Sequence, residues 1–526
     1  MTTTQPPRPG PTLDPDELTL DGIRAGALAG RPVTVLGFAR SGIALARFLI
    51  DAGATVTVYD GRSAEELAEA LAQLDGRSIR LLAGPLVEPA EALAGAALVA
   101  TSPSVNPDYP TTEPRLRAAL AALVAARAAG DPLAPAIVAE VELVLRLCPA
   151  PTIGISGTKG KTTTSALAHA LLAADPRHRA VLGGNIGRPL VERLPELRPD
   201  DRVVIELSEL QLPTLSRGTT VAVLTNVTAD HLDRHGTLEA YRAVKRRFAE
   251  TVDPAGALVL NLDDPVVAGY ADLASARVVG YRRDIPPAGG VGVADGWIVA
   301  SRLERLDLAG GGVAEAGPGG RIVPLDELTL PGRHNLSNTL AAVAVALLFG
   351  VPPEVIRSAA AAFVGVEHRL ETVGVVGGVR FVNDSQGTQP DAVVAALRAF
   401  DPPIVLIAGG RDKGVDLGAL GPVVAERVAA AILIGESGPD LERQFRAAGL
   451  ARTERAATLE GAVRRAAAIA ADLRKTPADQ PGPGGSHLPT VLLSPAAASF
   501  DMFADYEERG RAFKAAVASL AEEGSR

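Results

Sequence analysis

Blocks of apolar residues separated by amphipathic stretches repeat a strand–helix–strand theme along most of the chain. From Pro32 to Asp60 the segment VTVLGF is followed by a turn, the helical pattern GIALARFLIDAG and a second strand, TVTVYD, which is the start of a βαβ unit. A second strand-to-helix passage opens at TIGISGTKGKTTTSALAHALLAA, and strands recur at VVIEL, VAVLTNV and ALVLNLDD with helical segments between them. That order predicts mainly parallel sheets. The Gly-rich, β-leaning stretch from Gly280 to Pro324 breaks the theme and predicts an antiparallel excursion. After Phe363-Val364-Gly365 a third unit begins, with strands at VRFVND, PIVLIAG, AAILIG and TVLLSP. The expected fold class is α/β with three domains, at 1–132 (1–18 a loose tail), 133–365 and 366–526. The Gly/Pro-rich KTPADQPGPGGSHLP before the last strand predicts a mobile loop.

Length agrees with this division, since 526 residues correspond to about three domains at roughly 100–200 residues each. Hydrophobic residues at 47% and charged residues at 21% describe an ordinary globular chain. A net charge of −9 lacks the basic field that a phosphate backbone requires, so nucleic acid is not an expected partner. One cysteine, Cys148, excludes an intramolecular disulfide framework. The N-terminus has no apolar signal-peptide core, and the run Leu340–Val351 is too short to span a bilayer, so a cytoplasmic protein without a membrane span is expected; a monomer is expected as well. Only six basic residues are lysines, at 159, 161, 245, 413, 475 and 514, against 46 arginines. Where lysine survives in such a background, its chemistry can be the reason.

Two turns have the form of phosphate-binding loops. Gly37-Phe38-Ala39-Arg40-Ser41-Gly42 lies between a strand and a helix, close to G-x-G-x-x-G with Ala39 at the middle position, and Asp60 ends the next strand. These residues alone leave open a nicotinamide or flavin site, another nucleotide, or a tight turn without ligand. Gly157-Thr158-Lys159-Gly160-Lys161-Thr162 is more specific. Its backbone amides and helix N-terminus suit a triphosphate, Lys161 the outer phosphates and the Thr162 hydroxyl Mg²⁺; Ile155 stands where the longer P-loop has glycine. ATP is the expected ligand. Glu206 ends a strand, where an acid faces the ligand crevice of a parallel sheet, and Asn226-Val227-Thr228-Ala229-Asp230-His231-Leu232-Asp233 follows another. Lys245 sits in a helical pattern beside two arginines; unlike arginine, a lysine amine can take up CO₂ as a carbamate, an anionic oxygen ligand for Mg²⁺.

Together these motifs resemble the Mur ligase family over residues 30–518. The family's G-T-x-G-K-T is at 157–162, G-G-N-I-G at 183–187, E-L-S-x-x-Q-L at 206–212 and N-V-T-x-D-H-L-D-R-H at 226–235. G-x-H-N-x-x-N spans Gly332–Asn338, H-R is His368-Arg369, and N-D-S is Asn383-Asp384-Ser385. G-G-x-D-K-G at 409–414 and S-P-A-x-A-S-F-D-M-F at 494–503 are similar to the glutamate-adding branch. The resemblance implies a Rossmann-like N-terminal domain for UDP, a central P-loop-type ATPase, and a C-terminal Rossmann-like domain for the amino acid. It implies ATP-dependent joining of D-glutamate to UDP-N-acetylmuramoyl-L-alanine in peptidoglycan precursor synthesis.

The family's site residues carry over as follows. Gly157, Thr158, Lys159, Gly160, Lys161, Thr162, Thr163, Asn335, Asn338, Arg369 and Asp384 resemble the ATP set. Thr162 and Glu206 resemble ligands of one Mg²⁺, and His231 with carbamylated Lys245 those of a second; Lys161, Lys245 and His231 form the catalytic group. Gly37, Ser41, Asp60, Gly61, Arg62 and Ser104 fall where the UDP of the substrate is held, and Asn185 resembles the contact to its muramoyl portion, so UDP replaces a dinucleotide as the expected ligand of the first turn. Thr388, Lys413, Ser499 and Tyr506 resemble the glutamate site. The chain departs from the family at Gln386, where many relatives have lysine, at Tyr506, where phenylalanine is common, and at Ser104, which replaces glycine.

Overall fold

The computed structural model describes residues 12–109, 111–228, 235–330, 332–411, 417–418, 420–475 and 488–524. It contains three sheets, and its internal contacts divide the chain into two units, Met1–Phe363 and Val364–Arg526. The first unit holds two sheets. One comprises β1 (Pro32–Leu36), β2 (Thr55–Asp60), β3 (Arg80–Ala83), β4 (Leu98–Thr101) and β5 (Ala136–Ala139), all parallel, in the order β3-β2-β1-β4-β5. Strand order reverses at β1, so the turn into helix α1 (Arg40–Asp51) lies at a topological switch point, where ligands of open α/β sheets bind. Gly42 lets that helix approach the turn closely, because a Cβ there would lie 1.8 Å from the Gly37 carbonyl oxygen.

Two sequence expectations about this domain are corrected. The short apolar strand β5 pairs with β4, so the first sheet continues past residue 132. The stretch 12–18 is not loose: Leu18 is buried, Leu13 packs on the same core, and the Leu13 amide bonds the Ala97 carbonyl at 2.8 Å. Leu18, Leu20 and Ile23 belong to the first core, and Leu13 packs against it.

The second sheet contains β6 (Thr152–Ser156), β7 (Ala180–Gly184), β8 (Arg202–Glu206), β9 (Val221–Leu224), β10 (Ala257–Asn261), β11 (Arg277–Tyr281), β12 (Val291–Ala294), β13 (Trp297–Ala300) and β14 (Arg321–Pro324). Their order is β14-β13-β12-β11-β10-β9-β6-β8-β7. Pairing is parallel from β7 to β12 and antiparallel through β12, β13 and β14, which is the expected excursion. The run from Leu340 falls in helix α4 (Arg333–Leu348), which packs on α2 (Lys161–Ala173) and strands β10–β12; this cover on several sides explains its apolar character. Between them in sequence lies α3 (Leu238–Glu250).

In the second unit, β15 (Glu371–Val376), β16 (Val379–Asn383), β17 (Ile404–Gly409), β18 (Val428–Ile434), β19 (Thr453–Arg455) and β20 (Thr490–Leu493) form a sheet in the order β15-β16-β20-β17-β18-β19, antiparallel only at β15. Helix α5 (Tyr506–Gly524) packs against β15 and β16. Residues 476–487, within the expected mobile loop, lie outside the described residues. No helix among the described residues is long and apolar enough to cross a membrane.

Candidate active site

The loop between β6 and α2 is held by the segment after β9. The Thr158 amide donates to the Asn226 carbonyl (2.8 Å) and the Lys159 amide to Asn226 Oδ1 (2.8 Å), while Thr225 Oγ1 donates to the Lys159 carbonyl at 2.7 Å. Thr158 Oγ1 and the Tyr241 hydroxyl lie 2.9 Å apart, tying α3 to the loop. Gly160 begins α2 in the left-handed region, φ 85°, and a Cβ there would lie 2.4 Å from Asn338 Oδ1 on α4. Lys161 Nζ donates back to the carbonyls of Gly157 (3.0 Å) and Thr158 (2.9 Å), so the ammonium sits over the mouth of its own loop. Asn335 and Asn338 face each other one turn apart, with Asn338 Nδ2 3.4 Å from Asn335 Oδ1.

Glu206 ends β8 beside this loop and is buried. Asn185 Nδ2 donates to its Oε1 at 3.0 Å, whereas Oε2 is buried without a hydrogen-bond partner among the described residues. A buried carboxylate oxygen left unmatched costs free energy unless a cation or donor completes it. With the hydroxyl-bearing Thr162 at the start of α2, this hard-oxygen donor fits Mg²⁺ shared with phosphate oxygens. Among the described residues no group of three or more His, Cys, Asp or Glu could hold a metal ion.

Lys245, on α3, is fully buried and donates to Ser156 Oγ at 3.1 Å; Ser156 in turn donates to the Leu207 carbonyl at 2.8 Å. Its Nζ lies 5.5 Å from the centre of the Tyr241 ring. Lys245 is therefore brought to the end of β6, next to the phosphate loop, from 89 residues away. Ser156 was not singled out in the sequence, although its position immediately before Gly157 was the available signal. His231 lies outside the described residues.

The first turn borders a cavity of about 570 Å³ lined by Gly37, Asp60, Gly61, Arg62, Ser104 and Leu210 among others. Asp60 organises its floor: Oδ2 accepts from the Phe38 amide (2.8 Å) and Arg62 Nη2 (2.8 Å), and Oδ1 from the Arg62 amide and Nε, each 3.0 Å. Burial raises the Asp60 carboxyl, but Arg62 and the two amides outweigh it and hold it below its ordinary value. Ser41 is on α1 outside the cavity lining, and Asn185 is turned to Glu206 in the ATP-loop crevice.

In the second unit, Asp384 follows β16. Its Oδ2 accepts from Ser494 Oγ at 2.7 Å and its Oδ1 from the Leu370 amide at 3.2 Å, and burial pushes its carboxyl up to about 6. Neighbouring His368 is buried, has φ 64°, and lies 2.9 Å from the Asn383 amide nitrogen; burial lowers its pKa. Arg369, between His368 and Leu370, shares this turn. The Ser385 hydroxyl donates to the Tyr506 carbonyl at 2.7 Å, and the Tyr506 ring meets His368 edge-on. Arg509, missed in the sequence though one turn beyond Tyr506, is almost wholly buried and bonds Ser385 and the carbonyls of Ala497 and Ala498. It joins the N-D-S turn to the loop bearing Ser499, itself buried. The Thr388 amide bonds the Gln386 carbonyl at 2.8 Å, and Lys413 lies outside the described residues.

Comparison with known proteins accounts for all three domains. Residues 31–126 match the Mur ligase MurD-like N-terminal domain, 155–346 the Mur ligase middle domain, and 368–476 the Mur ligase glutamate ligase domain. The UDP-N-acetylmuramoylalanine–D-glutamate ligase of Symbiobacterium thermophilum is 41% identical over 94% of this chain and 100% of its own length. The enzyme of the same name from Geobacter metallireducens is 39% identical over 94% and 98%. Among solved structures, the UDP-N-acetylmuramate–alanine ligase of Thermotoga maritima aligns over 93% of this chain and 99% of its own with a TM-score of 0.50 at 17% identity, a likeness of fold. Three matched domains in order, a phosphate loop beside a buried acid, and this identity over almost the full length place the chain in the Mur ligase family.

Proposed function

We propose that the chain joins D-glutamate to UDP-N-acetylmuramoyl-L-alanine at the expense of ATP. The observation that carries this reading is one crevice in which a G-T-x-G-K-T loop and Glu206, with an unmatched carboxylate oxygen, stand in the same unit as a nucleotide-sized cavity. The named activity of the relatives supplies the amino acid. A carboxylate oxygen of the L-alanyl substrate attacks the γ-phosphorus of ATP, ADP leaves, and an acyl phosphate results. The glutamate amine then attacks the acyl carbon, and the tetrahedral adduct collapses to the amide, releasing phosphate and a proton.

The work of the protein in such phosphoryl transfer is positioning and charge stabilisation. Lys161, whose ammonium already rests on loop carbonyls, is placed to meet phosphate oxygens, and α2 directs its N-terminal amides at them. Thr162 and Glu206 would hold Mg²⁺, which supplies neutralisation of phosphate charge. A second ion would use His231 and Lys245 as its carbamate. Asn335, Asn338, Arg369 and Asp384 complete the nucleotide set in this reading, and Thr388, Lys413, Ser499 and Tyr506 the glutamate set, with Gln386 altering its charge. The cavity under Asp60, Gly61 and Arg62 takes the uridine end. The test is phosphate release from MgATP with UDP-N-acetylmuramoyl-L-alanine and D-glutamate, L-glutamate or neither, with product masses. Release together with a one-glutamate mass gain for the D isomer alone is expected; preference for L-glutamate would overturn the assignment of substrate.

A further inference from the structure

The nucleotide cavity and the ATP loop share one short segment. Residues 206–212 begin at Glu206, beside the phosphate loop, and reach the cavity at Leu210, which forms part of its wall. Tyr109, 95% buried in the first domain, directs its hydroxyl at the backbone of this segment, 3.1 Å from the Leu210 carbonyl oxygen and 3.3 Å from that of Glu209. The segment is internally locked. Gln211 Oε1 accepts from both the amide (2.8 Å) and the hydroxyl (3.1 Å) of Ser208, and the Gln211 amide returns to the Ser208 carbonyl at 3.2 Å. Its other end is equally tied, because the Leu207 carbonyl accepts from Ser156 Oγ, the same hydroxyl that Lys245 bonds.

A path of backbone and hydrogen bonds therefore runs from Tyr109 and the cavity wall at Leu210, through the Gln211 lock and Leu207, to Ser156 and Lys245. A turn held at both ends carries a displacement at one end to the other, so a ligand that shifts it at the cavity also biases its position at the loop. We propose that Tyr109 is a positioning residue that couples occupancy of the nucleotide cavity to the ATP site through residues 206–212. The inference rests on the assignment of the cavity to the uridine substrate and of the loop to ATP. With that assignment, UDP-N-acetylmuramoyl-L-alanine and MgATP tighten each other's binding, and the Tyr109 hydroxyl is needed for that reciprocity.

Titration calorimetry on the full chain tests this. Affinity for UDP-N-acetylmuramoyl-L-alanine is measured with and without a Mg²⁺-loaded non-hydrolysable ATP analogue, in the wild type, in Tyr109→Phe and in Leu210→Ala. The expected coupling factor is at least about fivefold in the wild type, the lower end of typical allosteric couplings, and below about twofold in Tyr109→Phe with an unchanged melting temperature. Leu210→Ala lowers the factor similarly, and the double variant shows no further loss, because both changes cut one path. An unaltered factor in Tyr109→Phe, or independent binding in the wild type, overturns the coupling. Failure of either ligand to bind the wild type instead overturns the functional assignment beneath it.

Discussion

Replacing Asp384 by asparagine is expected to stabilise the protein above pH 6 while impairing ligation. The carboxyl is buried, and its pKa is raised from the ordinary 3.8 to about 6 by that burial, against the opposing pull of Ser494, the Leu370 amide and Arg369. A group whose folded pKa is raised favours folding most fully below its unfolded pKa, and that advantage is lost as pH rises through the folded pKa. From below pH 4 to well above pH 6 the wild type therefore loses about 3 kcal/mol that a non-titrating residue keeps. Asparagine preserves the shape: its Oδ1 still accepts from the Leu370 amide, and the Ser494 hydroxyl rotates from donor to acceptor. Denaturant unfolding of the full chain from pH 4 to 8 is the assay. The two proteins should agree near pH 4 to within about 1 kcal/mol, with the variant ahead by up to about 3 kcal/mol at pH 8. Ligation at pH 8 should fall about 100-fold, the size of a lost charge-assisted contact. A stability difference that is flat across this pH range would refute the buried-charge argument, and undiminished ligation would remove Asp384 from the site.

Three further outcomes probe the first unit. Glu206→Gln keeps the bond from Asn185 but replaces the charge behind the unmatched oxygen, so the Mg²⁺ concentration for half-maximal rate should rise at least about tenfold; an unchanged Mg²⁺ dependence would exclude Glu206 as a ligand. Gly160→Ala places a Cβ within 2.4 Å of Asn338 Oδ1 at φ 85°, and should cost at least about 1 kcal/mol of stability and most ATP-analogue binding, checked by melting and calorimetry. Lys245→Arg retains a cation but cannot form a carbamate, so ligation should be lost in a folded protein; wild-type turnover would eliminate the carbamate.

The phosphate loop was legible because the information is contiguous: glycine at the left-handed position, lysine and threonine at the helix start, and an apolar strand before them are all local. The first turn was legible as a turn, but the residues Gly37–Gly42 and Asp60 do not by themselves select among several nucleotides. The bond from the Asn185 amide to Glu206, 21 residues away, was not legible, because it is made by the adjacent strands β7 and β8. Residues 12–18 read as a tail because Pro and Asp separate their two leucines, yet those leucines find the first core.

Periodicity and motif order along the chain were enough for the α/β class, the positions of the main strands, the ATP loop and the family. These follow from periodicity and from hydrogen-bonded turns whose partners are neighbours in the chain. Which distant groups converge was settled by how the chain packs in three dimensions. The order β9-β6-β8-β7 carries Ser156, Glu206 and the 206–212 segment side by side, and packing of α3 brings Lys245 onto Ser156. The same holds for Asp384, whose raised pKa, and for Arg509, whose anchoring of two loops, depend on burial by strands and a helix remote in sequence. Residue spacing does not encode strand order or desolvation; both arise when the whole sheet closes around the side chain.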